Sequence, residues 1–266
     1  MTRVSVVLPV RNGERFLAEA IESVLEQTDE LIVVDDGSTD GSAAIAAGFR
    51  VTLLRQEQLG LVAALTRGIA ESAAPYVARM DADDVSLPER LERQVAFLDE
   101  HPRVAVVAPG VEVVDEAGRR MDEVVLPTDD ASLRRRLLLR NPFTHGSVVI
   151  RRAALDSVGG YRANYGANED YDLWRRIARD WRLAAVPEVL YRYRRHEQST
   201  TATDPERVAQ RERLRDELWR ERALTRALWG ERDYAEARAL AREALRRRHP
   251  LAATRAAFGY LARTSS

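Results

Sequence analysis

The feature that most constrains this chain is the alternation of strand-like and helix-like segments over its first hundred residues. Continuous apolar and β-branched runs predict buried strands at 4–10, 30–36, 51–56 and 75–80. Between them, segments 14–27 and 60–73 carry apolar residues at helical spacing. Strands that alternate with helices form right-handed units with parallel strands, so this half predicts an α/β fold on a mainly parallel sheet.

Polar residues follow three of these predicted strands, at the point where each strand ends. The three clusters are Arg11–Asn12–Gly13, Asp35–Asp36–Gly37 and Asp81–Ala82–Asp83–Asp84. Ligands of parallel sheets bind beyond the carboxyl ends of the strands. The sequence therefore predicts that the three clusters share one binding site.

The cluster in "YVARMDADDVSLP" places three carboxylates side by side, and they repel one another unless a cation or polar network offsets them. The Asp81–x–Asp83 spacing suits a hard divalent cation, Mg²⁺ or Mn²⁺, that binds oxygen donors and phosphate. The alternative is that the acids cap a helix starting near Pro88. Capping accounts for Asp84 or Ser86 but leaves two acids unexplained, which favours the metal site.

The other two clusters allow a structural and a functional interpretation. Either Asp35 or Asp36 shapes the following Gly-Ser-Thr turn as an Asx-turn acid, while the other accepts hydrogen bonds from a base or ribose. Arg11 and Asn12 either contact phosphate or form a turn with Gly13.

Four further groups are candidates on residue type alone. Glu169 and Asp170 begin a predicted helix over 168–180, where acids complement the helix dipole, so their spacing alone indicates a structural role. His145 and His196 are two of four histidines, and a lone histidine is usually a core or surface residue. The arginines beside His196 either neutralise a diphosphate or form a solvated strand face; they are Arg192, Arg194 and Arg195.

The second half has a different pattern. From about residue 104 shorter strands are predicted in "VAVVAP", "VEVVDE" and "GSVVIRR", with a turn at Gly118, which indicates a mixed sheet. From residue 204 onward the sequence predicts two or three amphipathic helices. This tail carries 15 Arg and 10 acidic residues, a charge of +5.

Composition limits the function classes. The net charge of −1 predicts no nucleic-acid partner, and the absence of cysteine excludes disulfides, thiolate metal sites and a cysteine nucleophile. The sequence contains no run of eighteen apolar residues and no signal-peptide core, so a cytoplasmic protein without a membrane span is expected.

An ordered set of motifs carries a family resemblance from Val4 to about Thr201: "VSVVLPVRNGERFL", "ELIVVDDGSTDGS", "ARMDADDVSLPERLERQVAFL", "NPFTHGSVVIRR", "GGYR", "NEDYDLWRR" and "LYRYRRHEQST". In these motifs the chain resembles inverting family-2 glycosyltransferases of the GT-A fold, particularly bacterial enzymes of cell-surface polysaccharide synthesis. The resemblance implies a GT-A catalytic domain over 1–203, with a nucleotide-binding half (1–100) and an acceptor-side half (101–203). Residues 204–266 form a helical extension outside it.

The resemblance also implies roles for individual residues. The nucleotide and donor pocket would comprise Pro9, Val10, Arg11, Asn12, Asp35, Asp36, Asp81 and Asp83. Asp83 would hold Mn²⁺ or Mg²⁺ on the donor diphosphate, with His196 completing that site, and Asp170 would be the general base. His145, Glu169, Arg194 and Arg195 would lie on the acceptor side or near phosphate.

The implied partners are a nucleotide-sugar donor and a hydroxyl acceptor. A UDP-sugar is the commonest expectation, with dTDP- and GDP-sugars as alternatives. Two family positions differ here, because Leu65 and Thr66 stand where many members have Arg and Asn, which affects donor contacts from that helix.

Two other functions compete with a glycosyltransferase. A sugar-nucleotidyltransferase would be expected to carry a Gly-rich basic loop after the first strand, whereas "PVRNGERF" has one glycine. A non-catalytic nucleotide-sugar-binding module would have no need to retain both acidic motifs. For the tail, docking on the catalytic domain or a homodimer is favoured over peripheral contact with the inner face of the membrane, because its acids dilute the positive field.

Overall fold

The computed structural model describes residues 3–196, the side chains of residues 138–139 and 166–167 excepted. Within these residues, nine strands form one sheet: β1 Val4–Val10, β2 Glu30–Asp36, β3 Thr52–Gln56, β4 Tyr76–Arg79, β5 Val85–Ser86, β6 Val104–Val114, β7 Arg120–Val124, β8 Val149–Arg151 and β9 Arg182–Arg194. In the same part of the chain, seven α-helices accompany it: α1 Leu17–Leu25, α2 Ser42–Ala47, α3 Leu61–Glu71, α4 Arg90–Glu100, α5 Asp130–Leu139, α6 Arg152–Ser157 and α7 Glu169–Ile177. Two 3₁₀ turns cover His145–Ser147 and Ala163–Asn168.

The strand order places the carboxyl ends of six strands at one edge of the sheet. The order is β3-β2-β1-β4-β8-β6-β9-β5, with β7 paired to β6. Strands β1 to β4 pair in parallel, as predicted, and β6 and β9 also pair in parallel. Because β8 is antiparallel to both β4 and β6, strands β4, β6 and β9 run in the same direction. The mixed α/β sheet predicted from the sequence is confirmed.

Each face of the sheet is covered by helices. Along β1, Val6 and Leu8 point to one face and join apolar residues of α1 and α4, while Val7 joins residues of α3, α5 and α7 on the other. This alternation follows from the two-residue period of a strand. Both faces of β1 are therefore buried, which explains its continuous apolar sequence.

The prediction of two short strands, "VAVVAP" and "VEVVDE", is wrong. They form the single strand β6, whose pairing with β9 shifts register around Ala108 and Gly110. Pro109 has no N–H to donate to the ladder. Because the pairing is irregular at this point, the strand continues although that hydrogen bond is not made. The turn at Gly118 is present, with a positive φ of 78°. Helices α5 and α6 were not predicted; α5 has a side-chain cap, in which Ser132 N donates to Asp129 Oδ1 at 2.8 Å.

The interpretation of Asp84 and Ser86 as helix caps is also wrong. Helix α4 begins at Arg90 after Glu89, which has a φ of 63° and makes no side-chain capping bond. Ser86 instead belongs to β5, and its Oγ accepts a hydrogen bond from Gln27 Nε2 at 3.1 Å.

The predictions for residues 197–266, including the helical extension and its possible roles in dimerisation or membrane contact, lie outside the described residues. Within residues 3–196, no helix has both the length and the apolar character needed to cross a membrane.

Candidate active site

The loops after β1 and β2 are joined by hydrogen bonds. Asn12 adopts a positive φ of 51°, its N–H donates to Ser38 Oγ at 3.0 Å, and its Oδ1 accepts from Thr39 N at 2.8 Å. Gly13 N donates to Ser42 Oγ at 2.9 Å. Asn12 is therefore the residue that joins the two loops, in addition to any contact it makes with a ligand.

Asp35 and Asp36 are both buried and shape different loops. Asp35 Oδ1 accepts from Ser38 N at 2.9 Å, which is the Asx turn that the sequence allowed for one of the two acids. Asp36 accepts from Leu59 N at 2.8 Å and Gly60 N at 2.9 Å, and so holds the loop before α3. Both acids order the edge where the nucleotide is expected.

The other predicted nucleotide residues differ in exposure. Pro9 and Val10 are buried in β1, so their side chains pack beneath the surface where the nucleotide is expected. Arg11 is exposed and forms no hydrogen bond or ion pair with another described residue. Its guanidinium is thus available to an anionic ligand.

The carboxylate of Asp81 is held from two sides. Arg79 Nη1 lies 2.5 Å from Asp81 Oδ1. On the other side, a Cβ added to Gly146 would overlap Asp81 Oδ2 and Tyr191 Oη, so only glycine fits there. Burial raises the pKa of Asp81, as does the negative charge of Asp83, whereas Arg79 lowers it. Arg79 thus provides the local positive charge for the acidic cluster.

Asp83 and His196 form the second half of the acidic site. His196 Nε2 lies 2.8 Å from Asp83 Oδ2, and the side chains are 10% and 33% exposed respectively. A carboxylate beside an imidazole fits the oxygen and nitrogen donors that Mn²⁺ accepts. Among residues 3–196, no group of three or more His, Asp or Glu side chains is placed to hold a metal ion.

Asp84 and Arg194 tie β9 to this loop. Asp84 Oδ1 accepts from Arg194 N at 2.8 Å, and burial raises the pKa of the Asp84 carboxyl well above its usual value, with Asp81 and Asp83 adding to the effect. The Arg194 guanidinium donates to Asp83 O at 2.9 Å and pairs with Glu19 at 2.6 Å.

The guanidinium of Arg194 is therefore occupied by protein groups, contrary to the expectation that it contacts a diphosphate. Arg195 is exposed instead. It lines an open cavity of about 440 Å³ together with His196 and the β6–β7 turn. Of the two arginines, Arg195 is the one placed to meet an anionic ligand.

The start of β8 brings His145 to the same edge, because β8 runs antiparallel to β4. His145 Nε2 lies 2.7 Å from Tyr161 Oη, and Nδ1 lies 3.6 Å from Glu169 Oε1. Burial, and next the positive charge of Arg79, lower the pKa of His145 well below its usual value. His145 thus lies between Tyr161 and the first acid of α7, in surroundings whose burial disfavours the charged imidazole.

Glu169 and Asp170 are buried at the first turn of α7, where the sequence predicted them. Asp170 Oδ1 accepts from Tyr171 N at 2.7 Å, and Oδ2 accepts from Asn141 Nδ2. Acids at an exposed helix start are usually solvated, so their burial beside His145 distinguishes them from ordinary helix-dipole partners.

Sequence reasoning missed four residues of this edge: Arg79, Asn141, Tyr161 and Tyr191. Arg79 carried a usable signal, because a charged residue inside the apolar strand "YVARM" needs a buried partner. Nothing in the sequence alone connected Asn141 with Asp170 or Tyr161 with His145.

The chain matches a known protein family and curated relatives. The family described as "Glycosyl transferase family 2" matches residues 5–159. The protein named "Putative glycosyltransferase EpsE" of Bacillus subtilis (strain 168) is 37% identical over 205 residues, which are 72% of this chain and 73% of EpsE. The amylovoran biosynthesis glycosyltransferase AmsE of Erwinia amylovora is 34% identical over 203 residues, covering 71% of this chain and 75% of AmsE.

Solved structures share the fold. The S. aureus protein TarS (residues 1–349), in complex with UDP-GlcNAc, matches with a TM-score of 0.65 and 21% identity, over 85% of this chain and 70% of that one. The mannosyltransferase PcManGT from Pyrobaculum calidifontis, in complex with GDP-Man and Mn²⁺, matches with a TM-score of 0.58 and 21% identity, over 98% and 80%. The architecture described above is therefore similar to that of GT-A glycosyltransferases.

Proposed function

Because the chain belongs to glycosyl transferase family 2, we propose that it is a metal-dependent, inverting glycosyltransferase using a nucleotide-sugar donor and a hydroxyl acceptor. The product would be a surface polysaccharide or a related glycoconjugate, in keeping with the name of the relative AmsE. The observation that carries the metal-dependent part is the meeting of Asp83 and His196 at the carboxyl edge of the sheet, 2.8 Å apart.

The nucleotide would lie over the joined loops after β1 and β2. Asn12 and Asp35 give this surface a defined shape, and exposed Arg11 adds a positive charge for the diphosphate. We favour a UDP-sugar because TarS was solved with UDP-GlcNAc and with UDP, and a GDP-sugar is the alternative suggested by PcManGT. A dTDP-sugar would need the same phosphate contacts.

Asp83 and His196 would hold Mn²⁺ or Mg²⁺ together with phosphate oxygens of the donor. When bound, the metal supplies positive charge that stabilises the departing nucleoside diphosphate. Asp81 is 30% exposed and is oriented by Arg79, so it faces the same ligand from a fixed position. Arg195, at the edge of the open cavity, adds a second cation for the phosphates.

Asp170 would accept the proton of the acceptor hydroxyl as its oxygen attacks the anomeric carbon. The contacts with Asn141 and with Tyr171 N fix the carboxylate orientation. Attack on the face opposite the leaving diphosphate gives one displacement, and the anomeric configuration inverts. Glu169 and His145 border the acceptor side of this centre.

Calorimetric titration of UDP, GDP, dTDP and CDP into the full chain, with and without Mn²⁺, tests the proposal. We expect one nucleotide to bind, and only with the metal. At 100 times its Kd that nucleotide should stabilise the protein by about 2.7 kcal/mol in a thermal-shift assay. Equal binding with and without Mn²⁺ would argue against the metal site, and no binding by any of the four would argue against the donor class.

A further inference from the structure

Arg79 is a buried cation in the last position of β4. Its side chain is 4% exposed, and it shares a face of β4 with Val77, which packs in the apolar cluster that contains Trp174. A buried guanidinium in such surroundings is costly unless it is paired and fully hydrogen-bonded. The contacts of Arg79 therefore need an explanation.

On the donor side, Arg79 fixes the start of the acidic loop. Its Nη1 donates to Met80 O at 2.6 Å and lies 2.5 Å from Asp81 Oδ1. These contacts hold the chain as it leaves the sheet, two residues before Asp83. Any motion of Arg79 would shift the Asp81 carboxylate directly.

On the acceptor side, Arg79 lies next to the segment that carries His145. Arg79 N donates to Val148 O at 3.0 Å, and Arg90 Nη2 donates to both Arg79 O and Gly146 O. From this position the charge of Arg79 acts on His145 and Tyr161. It contributes to the low pKa of His145, after burial, and it opposes the rise in the pKa of Tyr161 that burial causes. The two residues contact each other at 2.7 Å, and His145 reaches Glu169 at 3.6 Å. Because an imidazole donates two ring N–H groups when charged and one when neutral, the charge of Arg79 bears on the hydrogen bonds that His145 can make.

A purely stabilising role accounts poorly for Arg79. Its Nε is buried without a hydrogen-bond partner among the described residues. Arg90, which is also fully buried, by contrast uses Nε to contact Gln94 and Nη2 to contact two carbonyl oxygens. An apolar side chain would fill the site of Arg79 without the unpartnered Nε.

We propose that Arg79 is a positioning residue for both halves of the cleft: its guanidinium holds the Asp81 carboxylate on the donor side, and its charge acts on the His145–Tyr161 pair on the acceptor side. The names of the two sides rest on the proposed function, whereas the contact with Asp81 does not. The same buried cation therefore influences both subsites, by contact on one side and by charge on the other.

The test compares Arg79→Met, which keeps the length of the side chain, with Arg79→Lys, which keeps the charge but not the planar fork. Arg152→Met is the matched control. Arg152 binds Ala74 O and Ser72 Oγ at 2.7 and 2.6 Å, at the opposite end of β4. Folding of all variants is checked by circular dichroism, and the neutral Arg79→Gln, with the same expected results as Arg79→Met, replaces it if the Met variant does not fold.

The first measurement does not depend on any activity. The chain has four histidines, so their ring resonances can be followed by NMR as pH is varied, with His145→Asn identifying the signal of His145. In Arg79→Met we expect His145 to become protonated at a higher pH than in the wild type. In Arg79→Lys we expect protonation at nearly the same pH as in the wild type. An unchanged His145 titration in Arg79→Met would overturn the link to the acceptor side.

The second measurement uses UDP with Mn²⁺ and then turnover of a UDP-sugar. In Arg79→Met we expect the Kd of UDP to rise roughly 10–100-fold, the usual loss when the partner of a ligand-binding group is removed. We also expect kcat to fall, and partial recovery of both in Arg79→Lys. Unchanged values would overturn the donor-side role. If the wild type binds no nucleotide, the proposed function fails, while the NMR result still decides whether Arg79 orders His145.

Discussion

His196 Nε2 lies 2.8 Å from Asp83 Oδ2 although 113 residues separate them. The contact exists because β5, which begins two residues after Asp83, pairs antiparallel with the end of β9, matching Val85 with Arg192. The site is therefore complete only when the last described strand has joined the sheet.

We predict that Asp83→Ala and His196→Ala both weaken Mn²⁺-dependent UDP binding, each by roughly 10–100-fold. If both side chains act on one metal, the double variant should lose less than the sum of the two single losses in binding free energy. Calorimetry with and without Mn²⁺ measures this. Asp156→Ala, at an exposed acid of α6, is the control. Fully additive losses would show that the two residues act separately.

Asp170→Asn should reduce kcat by roughly 10²–10⁴-fold, because a general base is lost while the shape of the side chain is kept. The amide side chain has nearly the same size as the carboxylate and can still contact Asn141. UDP binding with Mn²⁺ should therefore persist. Rates with a UDP-sugar and separate nucleotide titrations measure the two effects. A variant with near wild-type turnover would place the base elsewhere.

Gly146→Ala should disturb the donor site without changing any polar group. The added methyl would overlap the Asp81 carboxylate and Tyr191 Oη. We expect a stability loss of about 1–3 kcal/mol and weaker nucleotide binding. Gly68→Ala is the matched control, because its methyl would overlap Val7 between α3 and β1. It should cost stability and leave nucleotide binding intact. Equal binding in the two variants would contradict the close packing at Asp81.

His145 should make stability depend on pH below neutrality. Burial, and then Arg79, lower its pKa in the native state below the reference value of 6.5, so the unfolded chain binds the extra proton first. The free energy of unfolding should then fall as pH drops below 6.5, by up to about 1.4 kcal/mol per pH unit from this group. Urea unfolding of the wild type and His145→Asn at several pH values measures it.

The His145→Asn variant should lose that part of the pH dependence. His101→Asn, at an exposed histidine, controls for the loss of a histidine as such. If the wild type and His145→Asn show parallel pH profiles, folding does not change the pKa of His145, which would contradict the expected lowering.

The parallel half of the fold was predictable because its information is local. The apolar runs at β1 and β2 and the helical spacing of α1 each specify burial within a few residues. The second half of the fold was harder to predict. Pro109 and Gly110 indicate the end of a strand, but β6 continues through them with a shift in its register against β9. Helix α5 lacks a clear apolar stripe and was missed.

Within the candidate site, local chemistry in the sequence was enough to place the acids of Asp81–Asp84 after a buried strand and Asp170 at a helix start. It also left open which of Asp35 and Asp36 makes the Asx turn, and the structure assigns that turn to Asp35. The family resemblance added the expected pairing of Asp83 with His196, which no spacing rule supplies.

Tertiary structure alone decided that the Arg194 guanidinium bonds Asp83 O and Glu19 while Arg195 is exposed, and that Arg79 pairs with Asp81. These contacts depend on the order and direction of β4, β8 and β9 in the sheet. Strand order is a global property, since it is set by which apolar faces pack together, and no stretch of neighbouring residues encodes it.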